Sequence, residues 1–581
     1  MKINKRITLI TLLFISAACT HTPFSDDLSP RSYQPNLQPD FTLQADFTTQ
    51  TNQQGLIYDF FDVSVRTERG NPKGMPATFG RPKKVNTVRM LGGWRNQNTA
   101  GDTYQWNGTQ FVYNFDAATK RIDGWLDGDW EIFQIVLDNP PWAFQRGYQF
   151  VKTPNGKNYL EKDKVGVYGN GLPPFDAKAW NDYMQAFIKH LVKTYGKDQV
   201  MRWRFRVGSE IDTRPQHWAA TRQEFFDHYK NTVDAVHAVL PNATIGTHFR
   251  EGSFKGRYID YTGNTEDSYA PHFIKWAKQN KVHYDFLAIS YYPHITKSHE
   301  LDMQQVYEHD LAPIQQHPDW SNNASLEIHE FKFISQMKKA GFVSVATSHA
   351  SSFFAMMAKM FYDHNIRKVF QWGNASQGNY SPDAMTQLAL HSMVGNQYFK
   401  NTSQHHNQQT IPNKPEHDKT IKQHEVDAIF SQNPQKNAYD ILLYRFNSAD
   451  FSYQKPQTTR VIFNVTQSVG SVFNYRIGKI NRFSNVEDQF YAEHPKAKIL
   501  GSDGGWLKPK VHFTAAVSKA LNQAGQQVFK QKRAQYAKTN KLIWDKWRTA
   551  KVVAHNGTAA ILIDTPIESF GVQKLEVRMT E

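Results

Sequence analysis

Trp180-Asn-Asp-Tyr-Met-Gln-Ala-Phe-Ile-Lys-His-Leu-Val-Lys-Thr-Tyr195, followed shortly by Arg202-Trp-Arg-Phe-Arg-Val-Gly-Ser-Glu210, is one helix-then-strand unit. In the first half Trp180, Tyr183, Met184, Phe187, Ile188, Leu191 and Tyr195 recur at spacings of three and four, the signature of a helix with one apolar face. In the second half the period drops to two. Trp203, Phe205 and Val207 then face the helices, while Arg204, Arg206 and Glu210 share the opposite parity.

The same unit repeats on both sides. Between about Val85 and Phe399, short β-rich runs occur at Asn86–Leu91, Glu131–Leu137, Met201–Val207, Ala243–His248, Tyr284–Ser290, Ser325–His329 and Lys368–Trp372. A weaker run at Thr109–Phe115 makes eight. Helical stretches such as Phe225, Phe226, Tyr229, Val233, Val236 and Leu240 separate them. Eight strands alternating with helices predict an α/β fold, a (β/α)8 TIM barrel over 81–400.

After Lys400 the texture changes. A polar stretch from Asn401 to Glu425 leads into strand-like runs at Tyr439–Phe446, Arg460–Val465, Ser471–Ile477 and Ala559–Ile563. Residues 401–581 therefore read as an accessory β-sandwich, with a basic helical insertion at 515–548. Strand-like segments within 41–80 are expected to join it.

The first 19 residues have the layout of a targeting segment: Lys2, Lys5 and Arg6, then apolar Ile7 to Ile15, then Ser16-Ala-Ala-Cys19. This resembles a bacterial lipoprotein signal, which implies lipidation at Cys19, a tether over 20–40, and an exported protein anchored at the cell envelope. Cys19 is the only cysteine, which excludes a cysteine protease and a Cys-ligated zinc site. No later run reaches 18 apolar residues, so the anchor is the only membrane contact expected. The formal charge is +15, and without Lys2, Lys5 and Arg6 it is 15 − 3 = +12, a surface suited to an anionic partner. No nucleic-acid motif accompanies that charge, and nucleic acid is not expected as the partner.

In a barrel of this type the chemistry sits at the C-terminal ends of the strands. Glu210 and Glu330, the latter ending Ser325-Leu-Glu-Ile-His-Glu330, are carboxylates at two such ends. A pair about 5–5.5 Å apart is what a retaining glycosidase needs, one group donating a proton while the other attacks. Trp94, Arg95, Asp138, Asn139, Trp142, Arg214, His248, Arg250 and His294 stand near other strand ends as candidate cleft residues. The Arg, His and Trp among them suit an anionic sugar. His248, His294 and His329 show no metal-ligand spacing, and neither metal nor cofactor is expected.

Phe111-Val-Tyr-Asn-Phe115, Trp130-Glu-Ile-Phe-Gln-Ile-Val-Leu-Asp-Asn-Pro-Pro-Trp142, Pro173-Pro-Phe-Asp through Tyr195, Trp203 to Asp212, and Ile328-His-Glu-Phe331 follow in an order that resembles glycoside hydrolase family 39, the β-xylosidase and α-L-iduronidase family. The resemblance covers about 80–400. It implies Glu210 as acid/base and Glu330, rather than Glu327, as nucleophile. It further implies Arg89 and Tyr292 as partners of that nucleophile and Trp372 as the floor of the sugar subsite. Where the family has Trp-Asn-Glu-Pro, this chain has Gly208-Ser-Glu-Ile211. Ser209 is shorter than the asparagine that meets the sugar 2-hydroxyl, so the expected sugar differs from xylose at C2. The substrate expected is a poly- or oligosaccharide, with a sulfated or uronate-containing glycan favoured. Three other readings are a β-xylosidase acting on neutral xylo-oligosaccharides, a non-catalytic carbohydrate-binding lipoprotein and a polysaccharide lyase.

Overall fold

The computed structural model describes residues 31–32, 38–60, 62–64, 83–85, 88–89, 104–106, 109, 111–128, 130–137, 173–174, 176–213, 217–218, 220–250, 258–259, 265–266, 268–291, 294–295, 303–331, 334–335, 348–372, 382–406, 425–433, 435, 437–447, 453–482 and 542–580. Eight parallel strands form a closed ring: β1 Asp62–Ser64, β2 Lys83–Val85 with Val88–Arg89, β3 Trp130–Ile132 with Gln134–Leu137, β4 Arg204–Val207, β5 Ile245–Phe249, β6 Phe286–Tyr291, β7 Ser325–Phe331 and β8 Val369–Trp372. Each pairs with the next through β8. Phe370, Gln371 and Trp372 of β8 then pair with Asp62, Val63 and Ser64, which closes the cylinder.

One of the eight is not the run expected. Phe111–Tyr113 pairs antiparallel with Tyr104–Trp106 in a hairpin outside the barrel. Its place is taken by Asp62–Ser64, from the segment expected to join the sandwich. Three residues of Asp-Val-Ser are too few to show a period, so the closing strand is invisible to pattern reading.

The helices follow their predicted faces. Asp176 caps Ala177–Tyr195 by accepting from the amides of Lys178 and Ala179, and Trp180, Tyr183, Met184, Phe187, Ile188 and Leu191 are its buried residues. Thr221 and Glu224 form a capping box at the start of Arg222–His237. The strand expected from Met201 begins only at Arg204, because Lys197–Arg202 is helical.

Two further sheets face each other across a core of Phe41, Leu43, Phe430, Ile441, Phe463, Ile563 and Leu575, among others. Phe41–Asp46 lies in one of them, parallel to Gln457–Asn464 and antiparallel to Asn401–His405. Arg31–Ser32, within the stretch expected to be a tether, pairs with Ile563 and Asp564 instead. Part of the expected helical insertion is likewise extended: Ile543–Trp544 is a strand, while 515–541 lies outside the described residues. The expected targeting segment, 1–19, also lies outside them.

The second sheet packs its other face on the barrel. Ala438–Arg445 is buried along its whole length, Tyr439, Ile441 and Leu443 in the sandwich core and Leu442 and Tyr444 against the barrel's helices. The helix Ser348–Asp363 is buried over every residue from Ser348 to Tyr362 because it lies between the ring and that sheet. Its Lys359 is matched there by Asp363, 2.8 Å away, and by Asp427 of the sandwich, 3.8 Å away.

Candidate active site

The alternation of β4 carries basic groups into the barrel. Trp203, Phe205 and Val207 join the apolar core, while Arg204 and Arg206 point inward. The Arg204 guanidinium lies over the rings of Phe286, 3.9 Å from its centroid, and Phe133 at 4.9 Å, and it pairs with Glu327 at 3.0 Å. Arg206 donates to the Gly208 carbonyl at 3.2 Å, to Ser209 Oγ at 3.1 Å and to His329 Nδ1 at 3.3 Å.

Past Val207 the chain turns sharply through two left-handed residues, Gly208 at φ 71° and Glu210 at φ 46°. The first costs little because glycine has no Cβ. For Glu210 the conformation costs about 1–2 kcal/mol, which neighbouring bonds must offset. The amide of Thr213 donates to the Glu210 carbonyl at 2.8 Å, and that of Ile211 to the His248 carbonyl at 3.3 Å. The buried Glu210 carboxyl then faces Arg250 Nη1 at 3.5 Å and His217 Nδ1 at 3.7 Å.

On β7 two glutamates compete for attention, and their surroundings separate them. Glu327 is enclosed by Arg204, Lys368 at 3.2 Å, Ser325 and His329. Burial alone would raise its pKa, but the cations and hydrogen bonds hold it well below the usual carboxylate range. Its charge serves the barrel interior.

Glu330 owes its position to an irregularity. Ile289 pairs with Ile328, but Ser290 pairs with Glu330, so His329 is an extra residue in β7. Ile328 and Phe331 face the helix layer, Phe331 against Phe353, Phe354 and Phe361, and the bulge leaves both His329 and Glu330 on the inner face. Simple alternation from Glu327 would have turned Glu330 outward.

His329 is neutral and its tautomer is fixed by its partners. Nε2–H donates to Glu327 at 2.8 Å, so Nδ1 accepts from Gln134 Nε2 at 3.2 Å and from Arg206. Burial first, then the two arginines, lowers its pKa to about 3. A parallel chain links the two carboxylate strands. Ser209 Oγ, having accepted from Arg206, offers its hydrogen to His248 Nδ1 at 3.4 Å, and His248 Nε2–H donates to Ser290 Oγ at 3.0 Å, beside Glu330.

Glu210, Ser209, His248, Ser290 and Glu330 are thus gathered at the ends of four neighbouring strands, β4 to β7. Arg89 pairs through its backbone with Val136, Trp372 pairs with Ser64, and His294 pairs with Ile334 in a short separate sheet. The side chains of these three lie outside the described residues, as do Trp94, Arg95, Asp138, Asn139, Trp142, Arg214 and Tyr292. Among the described residues no group of three or more His, Cys, Asp or Glu is placed to hold a metal ion. Sequence reading missed His217 and Gln134. His217 lies in no periodic element, and only the fold brings Gln134 to His329.

The model for glycosyl hydrolases family 39 matches residues 161–340, which span both carboxylates. An alpha-1,4-L-rhamnosidase from Formosa agariphila is 36% identical over 419 residues, 71% of this chain and 79% of the relative. Among solved structures, a monomeric beta-xylosidase from Caulobacter crescentus CB15 superposes with a TM-score of 0.57 at 12% identity, over 93% of this chain and all of that one. A GH39 enzyme from Xanthomonas axonopodis pv. citri gives 0.57 at 14% identity, over 94% and 98%. At those identities the two structures speak to the fold.

Proposed function

The chain belongs to family 39 of the glycosyl hydrolases and is a glycoside hydrolase acting on glycans; from that premise we propose that it is a retaining enzyme cleaving an L-rhamnosyl linkage in an anionic polysaccharide. Glu330 attacks the anomeric carbon while Glu210 gives its proton to the departing glycosidic oxygen. The resulting glycosyl ester on Glu330 is then opened by water, whose proton returns to Glu210.

The observation that carries this reading is the bulge in β7, which turns Glu330 to the same inner wall at whose rim Glu210 stands. The sugar is supported by two facts together. The Formosa agariphila relative is a rhamnosidase, and Ser209 stands where a longer asparagine would meet an equatorial 2-hydroxyl. L-Rhamnose carries that hydroxyl axially, so room and a different donor set at C2 are what it needs. Ser209, Arg206 and His248 supply them. The charge of 15 − 3 = +12 that remains without Lys2, Lys5 and Arg6 supports an acidic glycan, and the first 19 residues support export and anchoring at the cell envelope through Cys19.

The test is hydrolysis of an aryl α-L-rhamnoside and of rhamnose-containing uronate or sulfated polysaccharides, beside neutral xylo-oligosaccharides, with the first-formed anomer followed by proton NMR. The product is expected to keep the configuration of the substrate, and Glu210→Gln and Glu330→Gln each to lose about 10²–10⁴-fold in kcat. An inverted product removes Glu330 as nucleophile. Cleavage confined to the xylo-oligosaccharides removes the rhamnosyl assignment.

A further inference from the structure

His217 lies seven residues beyond Glu210 and touches its main chain. Nδ1 stands 3.0 Å from the Ser209 carbonyl oxygen and 3.0 Å from the Glu210 carbonyl oxygen. Both are acceptors only, so Nδ1 carries the hydrogen and donates to the pair. These carbonyls flank the left-handed turn, and a single shared donor holds them on one side.

The ring is itself anchored. Its amide donates to the Thr213 carbonyl at 2.9 Å. The next residue, Trp218, is fully buried, packs on Phe225 and His228, and donates through Nε1 at 2.8 Å to the carbonyl of Thr221, the N-cap of the helix Arg222–His237. The imidazole is therefore fixed to a capped helix.

We infer that His217 is a positioning residue for the proton donor: its Nδ1–H clamps Glu210 in the left-handed conformation that aims the carboxyl into the barrel mouth. The inference rests on Glu210 being the acid/base. A side-chain direction follows from its backbone φ, and relaxing residue 210 to a negative φ would swing the carboxyl away from the glycosidic oxygen. A misplacement of about 1 Å at such a group costs on the order of 10²-fold.

An asparagine amide reaches the place of Nδ1, whereas a glutamine amide reaches toward Nε2, so His217→Asn and His217→Gln separate the donor from mere bulk. With the full-length protein, kcat/KM is measured on a rhamnoside with an alkyl or sugar leaving group and on a dinitrophenyl rhamnoside, whose leaving oxygen needs no proton. His217→Gln is expected to lose roughly 100-fold on the first and only a few-fold on the second, and His217→Asn to stay within about threefold of the parent on both. Equal losses on the two substrates overturn the inference. So does an Asn variant as impaired, or as poorly folded, as the Gln variant.

Two controls separate this from failure of the acid/base reading. If Glu210→Gln shows no preference for the dinitrophenyl substrate, Glu210 is not the proton donor. A crystal structure of His217→Gln judges the clamp independently of activity: residue 210 is expected to leave φ 46°, and an unchanged φ overturns the inference.

Discussion

Replacing Glu327 by glutamine removes one charge from the barrel interior and keeps the shape. Arg204 then has no counter-ion among the described residues, and it cannot turn to solvent because Phe286 and Phe133 hold its guanidinium. Its side chain is 9% exposed and that of Glu327 1%. Lys368, at 39%, can rehydrate. Breaking one side of a buried pair costs about 3–5 kcal/mol. For a barrel of roughly 300 residues the unfolding entropy is about 0.6 kcal/mol/K, so Tm should fall by about 5–8 °C. The assay is scanning calorimetry of the parent, Glu327→Gln, Arg204→Met, and the double variant. With both charges gone the apolar methionine fits between the two rings, and the double variant should recover much of the loss. A drop under about 1 °C for Glu327→Gln, or simple additivity in the double variant, would refute the claim that Arg204 depends on this carboxylate.

Gly246→Ala should give little soluble protein, because a Cβ there meets the carbonyl oxygen of Phe286, a backbone atom that cannot move aside. Gly196→Ala, at φ 82° and ψ 147° with open space around it, meets backbone strain but no clash and should fold at a cost of about 1–3 kcal/mol; soluble yield and thermal unfolding compare the two. His228 is wrapped by Trp180, Trp218 and Phe225, and burial lowers its pKa to about 3. The unfolded chain takes up this proton below about pH 6.5 and the folded chain does not. Stability therefore falls as pH drops from there toward 3, by up to about 1.4 kcal/mol per unit. Denaturant titrations across that window should show a shallower slope for His228→Phe, with His329 still contributing.

The elements that were legible in the sequence share a property: each repeats a period long enough to count. The helices at Ala177–Tyr195 and Arg222–His237 and the strands carrying Arg206 and His248 met that condition. Asp62–Ser64 did not, and its role in closing the ring appears only when β8 finds it. Glu210 was reached by parity and position. Glu330 was reached by its place at a strand end and preferred to Glu327 by resemblance, since the bulge at His329 defeats parity and leaves no mark in composition. The physical reason for separating Glu327 from Glu330 needed three dimensions, because Arg204 and Lys368 reach Glu327 from other strands.

The strand Phe41–Asp46 has a consequence for how the molecule comes into being. The Thr458 amide donates to Asp40 across 418 residues of chain, and the whole barrel lies between the two halves of that clasp. At about 5–20 residues per second, synthesis leaves the first half waiting roughly 20–80 s for the second. For most of that interval Phe41 and Leu43 lack Phe430, Ile441 and Phe463, the sandwich residues that share their core. The barrel can curl in this time, but its helix Ser348–Asp363 waits for Val426–Asn433 and Ala438–Arg445 to cover it, and the apolar strand at the start of the chain is the segment left sticky the longest.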